Sequence, residues 1–455
     1  MFGFSMIQMV RAHADKLDMQ LRQDLIHLYT PFKWTPCFLH SPLEKVLKRT
    51  KSFHVVVEFK NDCSFSDAVK ECHVISERHF RAKVNRSFSS ISCCSMEMTP
   101  AALDDLLTSC SHIHKIYYDR KVQALLDVAT PSVEAGAALN ANGPLTGQDV
   151  TIAVIDTGIY PHQDLQNPDT QQTRIIEFQD FINNRQDAYD DNGHGTHCAG
   201  DAAGNGIASA GVYRGPAPNA NLIGVKVLDK VGSGSLSTVM AGIQWCIDYN
   251  RDLNNKPKID IISMSLGSSP AGDPEEDMMV KAVEAAWDAG IVVCVAAGNS
   301  GPNFGTIASP GISEKVITVG AMDDRDTPDR EGDTIASFSS RGTLASELVK
   351  PDVVAPGVNI ISLRSPNSYL DKLQKSARVG TEYFSLSGTS MATPICAGVA
   401  ALILESNRLL SPDQVKVKLK DGADAWGDFP KDQNPYVYGA GYISARNSIF
   451  GKEDQ

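Results

Sequence analysis

The chain has 455 residues, 42% of them hydrophobic, which is enough for a large core and a two-domain organisation. A formal net charge of −12 excludes the basic surface of a general nucleic-acid binder. No run of about 18 apolar residues marks a membrane span, and Gln8, Arg11, His13, Asp15 and Lys16 interrupt any apolar core of a secretory signal between Met1 and Asp24.

Residues 5 to 29 carry Met6, Val10, Ala14, Leu17, Leu21, Leu25 and Leu28 at steps of three or four. That spacing predicts an amphipathic helix, ended by Pro31 and Pro36. Its polar face mixes both charges, so it is expected to pack on its own protein rather than on a membrane surface. Phe32, Trp34 and Phe38 form a small aromatic packing patch. Residues 53 to 118 read as β-α-β-β-α-β: a strand over 53–59, a helix from Ser64, strands near Ala82–Val84 and Ile91–Met98, a helix opened by Thr99-Pro100, and a strand over 112–118. This order is the ferredoxin-like motif, and by itself it assigns no function. His112 and His114 share a strand face, where a surface pair is a plainer reading than a metal site. From Ala129 to Gly147, Ala, Gly, Asn and Pro dominate and periodicity fades, which marks a connector.

Beyond Asp149 the pattern changes. Val150–Ile155, Ala220–Leu228, Ile259–Ser263, Gly290–Val295 and Lys315–Val319 are near-continuous apolar strands. Helical stretches at His197–Asn205, Leu236–Asp248 and Glu276–Asp288 separate several of them. This alternation predicts a doubly wound α/β fold with a mostly parallel sheet covered on both faces. Sites in such sheets form beyond the carboxyl ends of the strands. Ten cysteines are scattered without CxxC pairs, and in the absence of a signal peptide they are expected to be reduced thiols of a cytoplasmic protein.

Four residues at or near such ends make a chemical set. Ser390 lies in Gly388-Thr389-Ser390-Met391-Ala392-Thr393-Pro394, at a helix start whose free N–H groups suit a developing anion. Asp156 follows the first buried strand, His194 precedes His197 in Asp191–His197, and Asn299 follows another strand in Ala296–Gly301. Each alone has a plain reading as a cap or turn residue. Together they supply a nucleophile, a base, an orienting carboxylate and an oxyanion donor. A zinc pair at His194 and His197 lacks the HExxH spacing and its acidic residue.

Asp156-Thr157-Gly158, His194–Gly200 and Gly388–Pro394, in that order, resemble the subtilisin-like serine proteases, and the match runs from about Asp149 to Tyr442. The whole chain is similar to the cytoplasmic subtilases of bacilli. The resemblance implies a serine endopeptidase with Asp156, His194 and Ser390 as the triad and Asn299 as oxyanion donor. It implies substrate-binding strands at Gly232-Ser233-Gly234 and Ser265-Leu266-Gly267, with polypeptide substrates laid between them. Ala296, Ala297 and Gly298 would line a P1 pocket for a medium or large apolar side chain. No cofactor is required for the chemistry. A structural calcium is implied at Asp164, whose plain reading is a turn residue. Asp323–Asp326 and the group of Asp187, Asp190 and Asp191 read as solvated loops. Ile395-Cys396 stands where the family commonly has a histidine outside the triad, and Cys198 is expected to be a buried thiol that is inhibitory when modified.

The resulting expectation is a helical extension over 1–50, a ferredoxin-like propeptide-type domain over 51–120, a linker with the maturation site over 121–147, and a subtilisin-like peptidase domain over 148–455. The protein would be a cytoplasmic zymogen whose partners are polypeptide substrates and its own propeptide, with neither nucleic acid nor membrane. The rival reading is a catalytically silent peptide-binding or chaperone protein on the same fold.

Overall fold

The computed structural model describes residues 5–28, 40–60, 64–88, 92–118, 126–140, 143–252, 254, 257–270, 274–343, 348–425 and 434–452. The chain divides into two compact units, Met1–Gln123 and Ala124–Gln455. The aromatic patch Phe32, Trp34 and Phe38, with Pro31 and Pro36, lies outside the described residues.

In the first unit, β1 (Phe53–Phe59), β2 (Lys83–Phe88), β3 (Cys93–Met98) and β4 (Ile113–Tyr118) form an antiparallel sheet in the order β2-β3-β1-β4. Period-two alternation buries Val55, Val57 and Phe59. Onto that face pack α4 (Phe65–Arg78), through Ala68, Cys72 and Ile75, and α5 (Pro100–Ser109), through Leu103 and Leu106. Thr99 caps α5 by accepting from Ala102 N–H, with Pro100 in the first helical turn.

The expected single helix over 5–29 is two helices, α1 (Ser5–Ala12) and α2 (Met19–His27). Between them Leu17 bridges Ile116 of β4: Asp18 N–H donates to Ile116 O at 3.0 Å, and Ile116 N–H to Lys16 O at 2.7 Å. Asp18 then starts α2 by accepting from Leu21 N–H at 2.7 Å. The apolar spacing was read correctly as a buried face, since Met6, Val10, Leu17, Leu21 and Leu25 all enter the core shared with β1, β3 and α5. The helix α3 (His40–Thr50) completes the described N-terminal segment.

The second unit is built on β5 (Thr151–Asp156), β6 (Ile175–Asp180), β7 (Asn221–Lys226), β8 (Ile261–Met264), β9 (Val292–Ala296), β10 (Ile317–Asp323), β11 (Thr334–Ile335) and β12 (Val353–Pro356). Their order is β11-β10-β9-β8-β5-β7-β6, with β12 beside β10. Every pairing is parallel except β10 with β11. All six residues of β5 are buried, as a strand covered on both faces requires.

Four helices serve the site: α6 (His194–Ala203), α7 (Leu236–Arg251), α8 (Met278–Asp288) and α9 (Thr389–Ser406). The helix α9 has the length and mean hydropathy of a membrane span, yet 83% of it is buried inside the unit: it is the central core helix. A small antiparallel sheet, β13 (Ile360–Leu363), β14 (Arg378–Val379) and β15 (Tyr383–Leu386), was not foreseen. Part of the expected connector is also structured. Leu126–Ser132 is helical, and Ala129, Val133, Ala138 and Leu145 lie in the core of this unit.

Candidate active site

Asp156 ends β5, where the parallel sheet opens, and its side chain is fully buried. The helix α6 begins at His194 itself, three residues ahead of the expected start at His197. Its first turn is organised by Asp190. Oδ1 accepts from Thr157 Oγ1, Asn192 N–H and Gly193 N–H, and Oδ2 from Thr196 N–H and Oγ1, all at 2.7–3.0 Å. Asp190 is thus a buried helix cap, not the solvated loop residue expected. Gly195 lets the two elements touch, because a Cβ there would sit 2.2 Å from the Gly158 carbonyl oxygen. Lys226, opposite Asp156 in the β5–β7 register, buries its ammonium on Thr157 O, Leu228 O and Asp191 Oδ1 at 2.5–2.8 Å. The outcome is one short geometry: His194 Nδ1 lies 2.8 and 3.0 Å from the two Asp156 carboxylate oxygens.

Ser390 is the second residue of α9, after Gly388 at its cap. Pro394 therefore falls in the second helical turn. Having no N–H, it cannot pair with the carbonyl four residues back, which is that of Ser390. Two other donors take that oxygen: Ser265 Oγ at 2.7 Å and Cys198 Sγ at 3.4 Å. The Ser390 hydroxyl donates to the Ser265 carbonyl at 3.2 Å. Asn299 is locked in one amide orientation, since its Oδ1 accepts from Thr389 N–H at 2.9 Å and Thr389 Oγ1 at 3.0 Å. Its Nδ2 donor is left for the space beside Gly388 and Ser390.

Burial works to lower the His194 imidazole, but the Asp156 carboxylate outweighs it and holds the imidazole well above 6.5. A Cys198 thiolate would add to this, yet burial pushes the Cys198 thiol up to about 11, so it stands neutral. Ligand atoms of Asp156, His194 and Cys198 lie within 4.8 Å of one another. Nδ1 is engaged by Asp156 and Sγ by the Ser390 carbonyl, so the group is bound together by hydrogen bonds. His197 points away: its Nδ1 faces Asp201 Oδ2 at 2.9 Å, and its Nε2 faces the carbonyl oxygens of Ile360 and Phe384. The His194–His197 zinc pair is thereby ruled out.

Two depressions meet at Ser265–Ser269. One, of about 750 Å³, is lined by His194, by Gly232, Ser233 and Gly234, by Ser265, Leu266 and Gly267, and by Leu236, Val239 and Met278. The other, of about 470 Å³, is lined by Ala296, Gly298, Asn299 and Ser390, with Gly305, Thr306 and Ala308. Among the described residues, no charged side chain lines the second. Ala297 does not line it either. Its side chain turns into the interior among Val280, Ile307 and Ile312 because successive side chains of an extended segment alternate. Gly305, Thr306 and Ala308 were not foreseen, since no motif marks them.

Asp164 is fully buried, but its carboxylate is spent on protein donors: Oδ1 accepts from Ala208 N–H at 2.8 Å and Oδ2 from Tyr383 O–H at 2.6 Å. The main-chain oxygens around it are also taken. Buried Arg174 donates to the carbonyls of Asp164, Ala203 and Ala220 at 2.6–2.9 Å. N–H and O–H donors, with a guanidinium in place, do not fit a cation at this position. The expected solvated run Asp323–Asp326 is wrong for Asp324, which is 1% exposed.

The family model of the subtilase family matches residues 147–441. The chain is 56% identical over 454 residues to Serine protease AprX of Bacillus subtilis (strain 168), covering 99% of this chain and 100% of that one. It is 32% identical over 420 residues to Subtilisin E of the same organism, covering 91% and 94%. The crystal structure of a cold adapted subtilisin-like serine proteinase superposes with a TM-score of 0.50 at 31% identity, covering 67% of this chain and 91% of that one. The site geometry and these likenesses agree, and the chain belongs to the subtilase family as a subtilisin-like serine protease.

Proposed function

We propose that the chain is an endopeptidase that works through an Asp156–His194–Ser390 triad and an acyl-enzyme. The 2.8 Å contact of Asp156 with His194 Nδ1 carries this reading, since it leaves Nε2 as the basic nitrogen. Ser390 Oγ turns from the Ser265 carbonyl to His194 Nε2, loses its proton there and attacks the scissile carbonyl. The oxyanion receives Asn299 Nδ2 and the Ser390 N–H at the start of α9. His194 then passes the proton to the leaving amine. Water repeats the cycle on the ester. No cofactor enters these steps.

The substrate is an extended polypeptide added as a strand between Gly232–Gly234 and Ser265–Gly267. The described residues that wall the 470 Å³ pocket are uncharged, which favours an apolar P1 side chain. The first unit acts as a propeptide. Its β-α-β-β-α-β sheet is a self-contained fold ahead of a slow-folding parallel sheet, the situation in which a folding helper is needed. Most of the expected cleavage region, Asp119–Thr130, lies outside the described residues. The reading places the enzyme in the cytoplasm, as a zymogen.

Intact mass and peptidase activity of wild type beside Ser390→Ala test this. Wild type should shorten near residues 119–130 and cleave an apolar-P1 peptide, while Ser390→Ala stays full length and silent. Equal silence of both with all substrates would favour a peptide-binding role.

A further inference from the structure

The last residue of β10, Asp323, and the loop that joins β10 to β11, with Asp324, Asp326, Asp329, Glu331 and Asp333, are rich in acids. The two strands pair antiparallel, with Met322 opposite Ile335 and Asp323 opposite Thr334. One step further along this register sets Asp324 opposite Asp333. Side chains two apart share a face. Asp324 and Asp333 thus project on the face where Met322 and Ile335 pack with Tyr442. Both are buried, at 1% and 3% exposure. Directly opposed residues on one face stand roughly 5 Å apart at Cβ, where like charges repel.

These carboxylates have almost no protein donors. Asp324 Oδ1 accepts one long bond, from Asp326 N–H at 3.3 Å. Among the described residues, Asp324 Oδ2 and both oxygens of Asp333 find no donor. The nearby guanidinium groups are engaged elsewhere. Arg330 donates to Asp424 Oδ2 and Ser132 O at 2.7 Å and to Ile443 O at 2.8 Å, and stacks over the Tyr442 ring. Arg325 reaches Thr334 Oγ1 at 3.4 Å. Burial first, then the neighbouring acids, push Asp324 up to about 7; burial pushes Asp333 up to about 6.

Buried anionic oxygens without donors are costly and call for a positive charge. Two opposed buried carboxylates form an all-oxygen donor set. Such a set suits a hard divalent cation, with no nitrogen or sulfur to select a softer one. We propose that Asp324 and Asp333 together hold a divalent cation of the calcium class, which pins the β10–β11 hairpin. The cation neutralises the repulsion across the hairpin and takes the three oxygens that the protein leaves without donors. This site is separate from Asp164, whose oxygens are already satisfied, and from the triad.

The test uses the full-length Ser390→Ala chain, which cannot digest itself. It is stripped with EDTA, and its Tm is followed as calcium is added near neutral pH. A saturable rise of about 3–8 °C is expected. Asp333→Asn and Asp324→Asn should each abolish the rise. In EDTA, Asp333→Asn should melt above its parent, because one of two opposed buried charges is gone. Terbium luminescence excited through Tyr442 gives a second readout on the parent chain, and calcium should displace it. A Tm indifferent to calcium would overturn the proposal and leave a proton shared by the two carboxyls. A calcium gain that survives in both Asn variants would overturn it too, by placing the cation elsewhere. Absent terbium emission in the parent chain would count against it in the same way.

Discussion

Ser265 and Ser390 exchange hydrogen bonds: the hydroxyl of each donates to the main-chain carbonyl of the other, at 2.7 and 3.2 Å. The exchange begins with Pro394, which deprives the Ser390 carbonyl of its helical partner. Ser265→Ala keeps the carbonyl that receives Ser390 Oγ and removes the donor that anchors the Ser390 main chain. The expected loss is about 1–3 kcal/mol of stability, the cost of an under-satisfied buried carbonyl. A fall in kcat on the order of 10-fold should accompany it, because Ser390 loses its fixed position. Thermal unfolding and steady-state kinetics on one preparation check both. An unchanged kcat would show that Cys198 alone holds the carbonyl.

Cys198 sits four residues after His194, its sulfur 3.8 Å from Nδ1, and looks at first like a second nucleophile. Its thiol is buried, pushed up to about 11, and donates to the Ser390 carbonyl. Cys198→Ser, which keeps a donor, should retain activity within about 10-fold. Iodoacetamide should react only slowly with the native chain, since the thiolate is scarce. Activity that persists in Ser390→Ala and is then abolished by iodoacetamide would reverse the assignment.

The imidazole of His194 must be neutral to accept a proton, so activity should appear as pH rises through its pKa and vanish as pH falls through it. Asp156 holds that pKa above 6.5, so the acid limb of kcat/KM should lie above 6.5. Asp156→Asn removes the main raising influence. It should move the limb towards acid and lower kcat by on the order of 10⁴, the general effect of losing the orienting carboxylate. The pH profile of wild type and variant on one substrate decides this, and a wild-type limb centred below 6.5 would contradict it.

The positions of Asp156, His194, Asn299 and Ser390 were legible because each sits in a short segment whose residues are constrained by chemistry. The apolar strands were legible because a sheet covered on both faces leaves continuous hydrophobic runs, as in Thr151–Asp156. Asp190 was misread, since an aspartate in a polar loop looks solvated until its helix is placed above it. The signal was there: an acid shortly before a helix start is a capping pattern. Lys226 could also have been noticed as a charge inside an apolar strand. The hydroxyl of Ser265 and the inward turn of Ala297 depend on contacts between distant segments and leave no local trace. The short edge strand Ile175–Asp180 alternates weakly and carries Glu177 and Gln179, so its pattern faded into the surrounding loops.

Arg174 ties three main-chain oxygens, including that of Ala203 at the end of α6, the helix that begins with His194. Burial lowers its guanidinium only to about 10, so it stays charged at neutral pH. It interacts favourably with the negative end of that helix. Arg174→Met would strand three carbonyls and remove the charge beside Asp164. The expected cost is about 3–5 kcal/mol, with His194 less firmly held and kcat reduced alongside Tm. Arg174→Lys keeps a charge but cannot span three acceptors, and should fall between the two. Asp164→Asn should leave any response of Tm to calcium as it is in wild type, because Ala208 and Tyr383 already occupy its oxygens. A calcium gain lost in Asp164→Asn would instead show that this cluster opens to bind a cation.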